Sequence, residues 1–237
     1  MREAGRIVAV TLRELENSIR PGQSTVELDV IAERSARSMG ATPAFKGYHD
    51  FPASLCVSIN DEVVHGIPSP KRILKEGDVV SLDFGVFYKG FVGDSAITVP
   101  VGQISAAAQR LLTVTKEALF AGIAQARAGQ HLSDVSHAVQ DHAETHGFSV
   151  VRQYVGHGVG RRMHEEPQVP NFGPPNQGPV LRAGMTFAIE PMLNAGTEQT
   201  LVRPDNWTVV TRDGGLSAHF EHTIAVTDGD PEILTLP

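Results

Sequence analysis

The chain has 237 residues, 41% of them hydrophobic and 20% charged, with a formal net charge of −7; this suits a packed domain and excludes a basic nucleic-acid-binding surface, because the Lys and Arg residues are scattered. Cys56 is the only cysteine, which excludes an intrachain disulfide and fits a reducing compartment. The start, Met1-Arg2-Glu3-Ala4-Gly5-Arg6, has no apolar signal core and no run of about 18 apolar residues follows, so the expected location is cytoplasmic, with no membrane span.

Ile7, Val8, Thr11, Leu12, Leu15 and Ile19 recur at helical spacing until Pro21-Gly22, and Val26, Val30, Ala32 and Ala36 predict a second helix ending at Gly40. The period then shortens to strand-like runs over 55–59, 78–86 and 91–99. Helical spacing returns over 106–126 and 132–146, where His131, His137, His142 and His146 read as surface residues. Strand-like runs near 186–190, 207–211 and 218–226 complete the chain.

The order helix, helix, strands thus occurs twice, and sliding the chain on itself finds one offset that explains it. A shift of 107 residues carries Arg20, Gly22 and Gln23 onto Arg127, Gly129 and Gln130, Gly40 onto Gly147, Leu74 onto Leu181, Gly77 onto Gly184 and Asp83 onto Glu190, without a gap. Two similar α+β halves would pair their sheets about a pseudo-twofold axis, with helices outside and a cleft between. Asp83 and Glu190 would then face each other across that axis.

Acids in apolar strands need cations, because Asp and Glu are seldom buried unpaired. Asp83 lies in Val79-Val80-Ser81-Leu82-Asp83-Phe84-Gly85-Val86, a run expected to be buried on both faces. A hairpin turning at Tyr88-Lys89 would set it directly opposite Asp94. Glu190 in Phe187-Ala188-Ile189-Glu190-Pro191-Met192 and Glu221 in Ala218-His219-Phe220-Glu221-His222-Thr223-Ile224 repeat the pattern. His157, in the glycine-rich Gly156-His157-Gly158-Val159-Gly160, adds one imidazole. Four carboxylates with one imidazole suit divalent Mn, Fe, Co or Zn, and carboxylates able to bridge suggest two ions.

Together with His65-Gly66-Ile67-Pro68 and His164-Glu165-Glu166-Pro167, these residues resemble the type I methionine aminopeptidases over nearly the whole chain, to about Val226. The resemblance implies an α+β, creatinase/aminopeptidase-like "pita-bread" fold: two pseudo-symmetric halves with a central antiparallel sheet and outer helices, in one catalytic domain, 1–237, with repeats of about 1–103 and 104–230. It implies two metal ions bound by Asp83, Asp94, His157, Glu190 and Glu221, Asp94 and Glu221 bridging both, that activate a hydroxide. His164 would donate to the scissile carbonyl, His65 would contact the peptide nitrogen or leaving amine, and Glu190 would also shuttle the proton. Tyr48, Phe51, Cys56, Met163 and Trp207, with His65 at the edge, would form the pocket for the methionine side chain; Phe51 and Met163 stand where the family pattern leads one to expect Tyr and Phe. The implied substrate is the N-terminal methionine of nascent polypeptides whose second residue is small. A ribosome contact and a monomeric state complete the expectation, with no nucleic acid and no membrane as partners.

Other readings explain fewer residues. Cys56 lies in an apolar strand without a neighbouring base, so it reads as a wall rather than a nucleophile. His164-Glu165 begins like a zincin helix, but Gln168 stands where the second His is required. The proline-specific peptidases and creatine-type hydrolases share the five ligands, yet usually carry a separate N-terminal domain, whereas this chain begins inside its first predicted helix. A binding module without activity would be expected to have lost ligands, and a mononuclear iron site would need two His and one carboxylate.

Overall fold

Ile7, Val8, Leu12 and Leu15 form the buried stripe of α1 (Arg2–Ser18) in a computed structural model that describes all residues from Met1 to Pro237. α2 (Thr25–Ser38) begins at Ser24, whose backbone N–H donates to Glu27 Oε2 at 2.7 Å, satisfying a donor that the helix itself cannot. The chain leaves it through Gly40, whose φ of 77° a side chain would strain. β1 (Thr42–Pro43), β2 (Cys56–Ile59), β3 (Glu62–Val64) and the long β4 (Val79–Tyr88) and β5 (Phe91–Pro100) follow. β1 and β2 lie along one edge of β4 and β5 along the other, all antiparallel. α1 and α2 cover this sheet, Leu15 and Leu28 packing with Leu82 and Phe84; each such fully buried side chain contributes roughly 1.5–3 kcal/mol.

The second half opens with α3 (Ala106–Gln125), capped where Ser105 Oγ accepts from the Ala108 N–H at 3.1 Å, and α4 (Leu132–Thr145). β6 (Ser149–Val150), β7 (Gly156–Gly158), β8 (Glu165–Val169), β9 (Thr186–Ile189), β10 (Met192–Asn194), β11 (Thr200–Val202), β12 (Val209–Thr211), β13 (Ser217–His219), β14 (His222–Ala225) and β15 (Glu232–Ile233) complete it. They form a five-stranded sheet in the order β15-β14-β9-β7-β8 and a three-stranded sheet, β13-β10-β6, while β11 and β12 join β3 of the first half in a third, β11-β12-β3. Leu111, Leu119, Val135 and Val139 from the two helices pack on Phe187, Ile189 and Ile224. No helix is long and apolar enough to cross a membrane.

Residues related by the 107-residue offset make matching bonds. Gly22 N–H donates to Leu74 O at 2.8 Å and Gly129 N–H to Leu181 O at 2.9 Å, while Leu74 and Leu181 each donate back, to Gln23 O and Gln130 O, at 2.8 Å. The Ser24–Glu27 contact recurs as His131 N–H to Asp134 Oδ2 at 2.8 Å, and Gly147 repeats Gly40 with a φ of 79°. His131 therefore precedes α4 rather than lying on it; His137 is exposed, and His142 and His146 are half-buried.

Two local expectations are corrected. The β4–β5 hairpin turns at Lys89-Gly90, not at Tyr88-Lys89, because a two-residue type I′ turn needs positive φ at both central positions, and these have 48° and 79°. Asp83 consequently pairs with Ala96 and Asp94 with Gly85, so the two acids are diagonal neighbours on one face. The runs expected over 186–190 and 218–226 each meet a break: β9 stops before Glu190-Pro191, and β13 is separated from β14 by Phe220-Glu221. Proline cannot donate to a ladder, and Phe220 N–H bonds instead to Pro191 O at 3.3 Å, so both chains cross between the same two sheets here. The two glutamates sit at those crossings.

Candidate active site

The halves are stitched together at β5. Thr223 Oγ1 accepts from the Asp94 N–H at 3.2 Å and donates to Asp94 O at 2.7 Å; Glu221 N–H donates to Ala96 O at 2.9 Å, and Ser95 Oγ donates to Glu221 O. These bonds between residues more than 120 positions apart bring Asp94 and Glu221 together. β7 pairs with β9, setting His157 against Ala188 and so beside Glu190, whose carbonyl accepts from Asn171 Nδ2 at 3.1 Å. One potential ligand atom each from Asp94, His157 and Glu221 lies within 4.8 Å of the others, and His157 Nε2 is 3.6 Å from Glu190 Oε1.

The glycines beside His157 permit this approach. A Cβ built on Gly156 would lie 2.2 Å from Ala188 O, and one on Gly158 would lie 2.3 Å from Glu166 O. Gly156→Ala is therefore expected to push β7 off β9, destabilising the protein by about 1–3 kcal/mol and weakening metal uptake. Thermal unfolding with and without added manganese tests this, and an unchanged transition in both would contradict it.

Asp83, Asp94, His157, Glu190 and Glu221 line one end of a cavity of about 230 Å³. Asp83 Oδ1, Asp94 Oδ1 and Glu221 Oε1 are buried without a hydrogen-bond partner. Burial raises the Asp94 carboxyl to about 7, and burial followed by the neighbouring carboxylates holds Asp83, Glu190 and Glu221 well above the usual range. Burial, then His164, pushes His157 down to about 4; its Nδ1–H donates to Gly158 O at 2.9 Å, leaving the Nε2 lone pair toward the acids. Orphaned oxygens, crowded acids and an aligned imidazole are the donor set that a hard or borderline divalent cation would satisfy.

The other end is apolar and aromatic. Phe51 and Trp207 meet edge to face at 5.1 Å, and His65 stands 6.1 Å from Trp207 because β3, which His65 follows, pairs with β12, which Trp207 precedes. Cys56 and Met163 are buried in the wall; burial and then Asp83 push the Cys56 thiol up, so it remains protonated. Tyr48 Oη lies 2.8 Å from His164 Nδ1, and its ring stacks on the imidazole. Burial first, then a neighbouring histidine, lowers both active-site histidines, His65 to about 4, so both are neutral near pH 7.

All twelve side chains singled out from the sequence line this one cavity, joined by Phe45 and His49. No periodicity marks those two, which lie in a sharply turned loop where Gly47, His49 and Asp50 have φ of 86°, 47° and 67°. His219, also unforeseen, is fully buried with Nε2 3.6 Å from Glu190 Oε2, and burial pushes it to about 3, so it is neutral. The available signal was alternation: residues 219 and 221 of an extended run share a face.

A fold in two similar halves around a buried Asp/His/Glu cluster is that of a metallopeptidase, and residues 1–228 match the profile of metallopeptidase family M24. The chain belongs to that family. It is 57% identical to methionine aminopeptidase 1 of Bacillus subtilis, over 99% of this chain and 94% of the relative, and 50% identical to methionine aminopeptidase 1 of Mycobacterium tuberculosis, over 100% of this chain and 91% of the relative. The crystal structure of methionine aminopeptidase from Thermotoga maritima superposes with a TM-score of 0.99 at 47% identity, covering 100% of this chain and 95% of that one. An Xaa-Pro dipeptidase from Bacillus anthracis superposes with 0.77 at 25% identity, and this chain covers only 59% of it. Within the family, the chain falls among the methionine aminopeptidases.

Proposed function

We propose that this methionine aminopeptidase releases the N-terminal methionine of nascent polypeptides whose second residue is small, using two divalent ions held by Asp83, Asp94, His157, Glu190 and Glu221. The observation that carries the reading is the single cavity with a carboxylate and imidazole end and an apolar, aromatic end. A methionine side chain seated among Tyr48, Phe51, Cys56, Met163 and Trp207 gains from sulfur and aromatic contacts and carries its own peptide carbonyl to the acids. The narrow wall disfavours β-branched side chains by shape.

Bound ions would supply Lewis acidity and an activated water. The chain's own residues do the rest. With the Tyr48 phenol donating to Nδ1, the His164 ring proton lies on Nε2, from which it can donate to the carbonyl oxygen as charge develops there. Glu190 accepts a proton on a carboxylate oxygen from the attacking water and delivers it to the leaving amine. His65, neutral and at the edge of the pocket, orients the peptide nitrogen. The aromatic walls exclude water from the side-chain end.

The test is release of free methionine from a Met-Gly-Met tripeptide by manganese- or cobalt-loaded protein, beside an Xaa-Pro dipeptide. Methionine release is expected; cleavage of only the proline substrate would move the activity to the proline-specific branch. His164→Ala should lower kcat about 100- to 1000-fold with metal content and melting temperature unchanged, because one oxyanion donor is lost. A loss confined to KM would remove His164 from that role. The same reading places the protein in the cytoplasm as a monomer, with a ribosome contact that co-sedimentation would detect.

A further inference from the structure

His219 is 1% exposed, yet neither of its ring nitrogens has a hydrogen-bond partner. Buried polar side chains are almost always paired, so such a residue needs a partner that the resting contacts do not provide. Its backbone is immobilised: the N–H donates to Thr98 Oγ1 and the carbonyl accepts from the same hydroxyl, each at 2.8 Å, while β13 pairs it with Met192 of β10. The ring therefore projects from a fixed strand, and its Nε2 is 3.6 Å from Glu190 Oε2.

Glu190 is held less firmly. It lies in the break before Pro191, where its carbonyl is anchored by Asn171, but its carboxylate makes no hydrogen bond. His157 Nε2 stands 3.6 Å from Oε1, so the two oxygens are bracketed by two imidazoles, only one of which lines the cavity. The gap to His219 is slightly beyond hydrogen-bond range, and a movement of ~0.5 Å in the Glu190 side chain closes it. That movement would satisfy a buried donor and fix which oxygen faces His157.

We propose that His219 is a positioning residue whose Nε2–H donates to Glu190 Oε2, holding the carboxylate with Oε1 turned toward His157 and the metal side. The inference rests on the metal-dependent reading above, in which Glu190 is both ligand and proton carrier. Partners that orient a ligand from behind typically change metal affinity or activity 10- to 100-fold when removed.

The experiment compares the parent with His219→Gln, which can place an amide donor near the same point, and His219→Met, which fills similar space without one. Cobalt(II) is titrated into each metal-stripped protein by calorimetry, the visible absorption of the cobalt form is recorded, and kcat and KM are measured on Met-Gly-Met together with the melting temperature. His219→Met is expected to lose about 10- to 100-fold in cobalt affinity or kcat and to shift the cobalt absorption, with KM and melting retained, while His219→Gln rescues both to within about threefold. If the two variants behave alike, whether both match the parent or both fail, the proposal is overturned. Failure of the parent to release methionine would instead sink the reading on which it rests, and the cobalt titrations would still decide the role of His219.

Discussion

Asp94→Asn is expected to abolish stable metal loading and to cut methionine release at least ~1000-fold. Asp94 belongs to the triad whose ligand atoms lie within 4.8 Å, and its buried Oδ1 has no other partner. Asparagine keeps the shape but replaces one oxygen with an amide nitrogen and removes the charge, and a lost metal forfeits several kcal/mol of transition-state stabilisation, at about 1.4 kcal/mol per tenfold in rate. The same substitution should raise the melting temperature of the metal-stripped protein, because it removes the cost of burying the Asp94 carboxylate and, second to that, its repulsion of the neighbouring acids. Elemental analysis, turnover and calorimetry read the three effects. Full metal content with activity within tenfold of the parent would remove Asp94 from the centre.

With the metal chelated, stability should fall as the pH rises through about 7. The Asp94 carboxyl is near its model-peptide value of 3.8 when unfolded and about 7 when folded, chiefly through burial. The folded state therefore holds the extra proton between those values, so its stabilising contribution is complete below about 3.8 and is lost as the pH rises through about 7. At about 1.4 kcal/mol per pKa unit, this one group accounts for roughly 4 kcal/mol spread over the interval from 3.8 to about 7, and the other three acids, titrating with it as a set, act in the same direction. His65 and His157, pushed down to about 4, act oppositely: their contribution is present above about 6.5 and is lost as the pH falls toward 4. The histidines no longer titrate above about 6.5, so they do not oppose the acids as the pH rises through about 7. Bound cations keep the carboxylates ionised and remove the effect. Melting temperatures from pH 6 to 9, with chelator and with manganese, test the sign; a chelated protein that gains stability over that range would refute it.

The four helices were legible because each presents its own apolar stripe, as with Ile7, Val8, Leu12 and Leu15, and each is stopped within a few residues by Gly or Pro. The four acids were legible because charge in an apolar strand is costly enough to stand out, and His157 because glycines flank it on both sides. The hairpin register was expected one residue too early although Gly90 was there to be read, since a two-residue turn with positive φ at both positions favours a glycine and Tyr88-Lys89 offers none. Phe45 and His49 left no trace in any period, because the loop that carries them turns too sharply to repeat.

The sequence by itself determined the four helices and the order of the main strands, the internal offset of 107 residues and the residue types suited to a divalent metal, all of which depend on neighbours within a turn or a strand, or on direct comparison of one half with the other. Only the tertiary structure decided that Asp83 and Asp94 are diagonal, that Glu190 and Glu221 occupy the crossings between two sheets, and that His219 stands behind Glu190. Those placements come from bonds such as Thr223 to Asp94 and Thr98 to His219, whose partners are 129 and 121 positions apart. Spacing along a chain does not encode which distant strands meet; the packing of two cores and the pairing of their strands does.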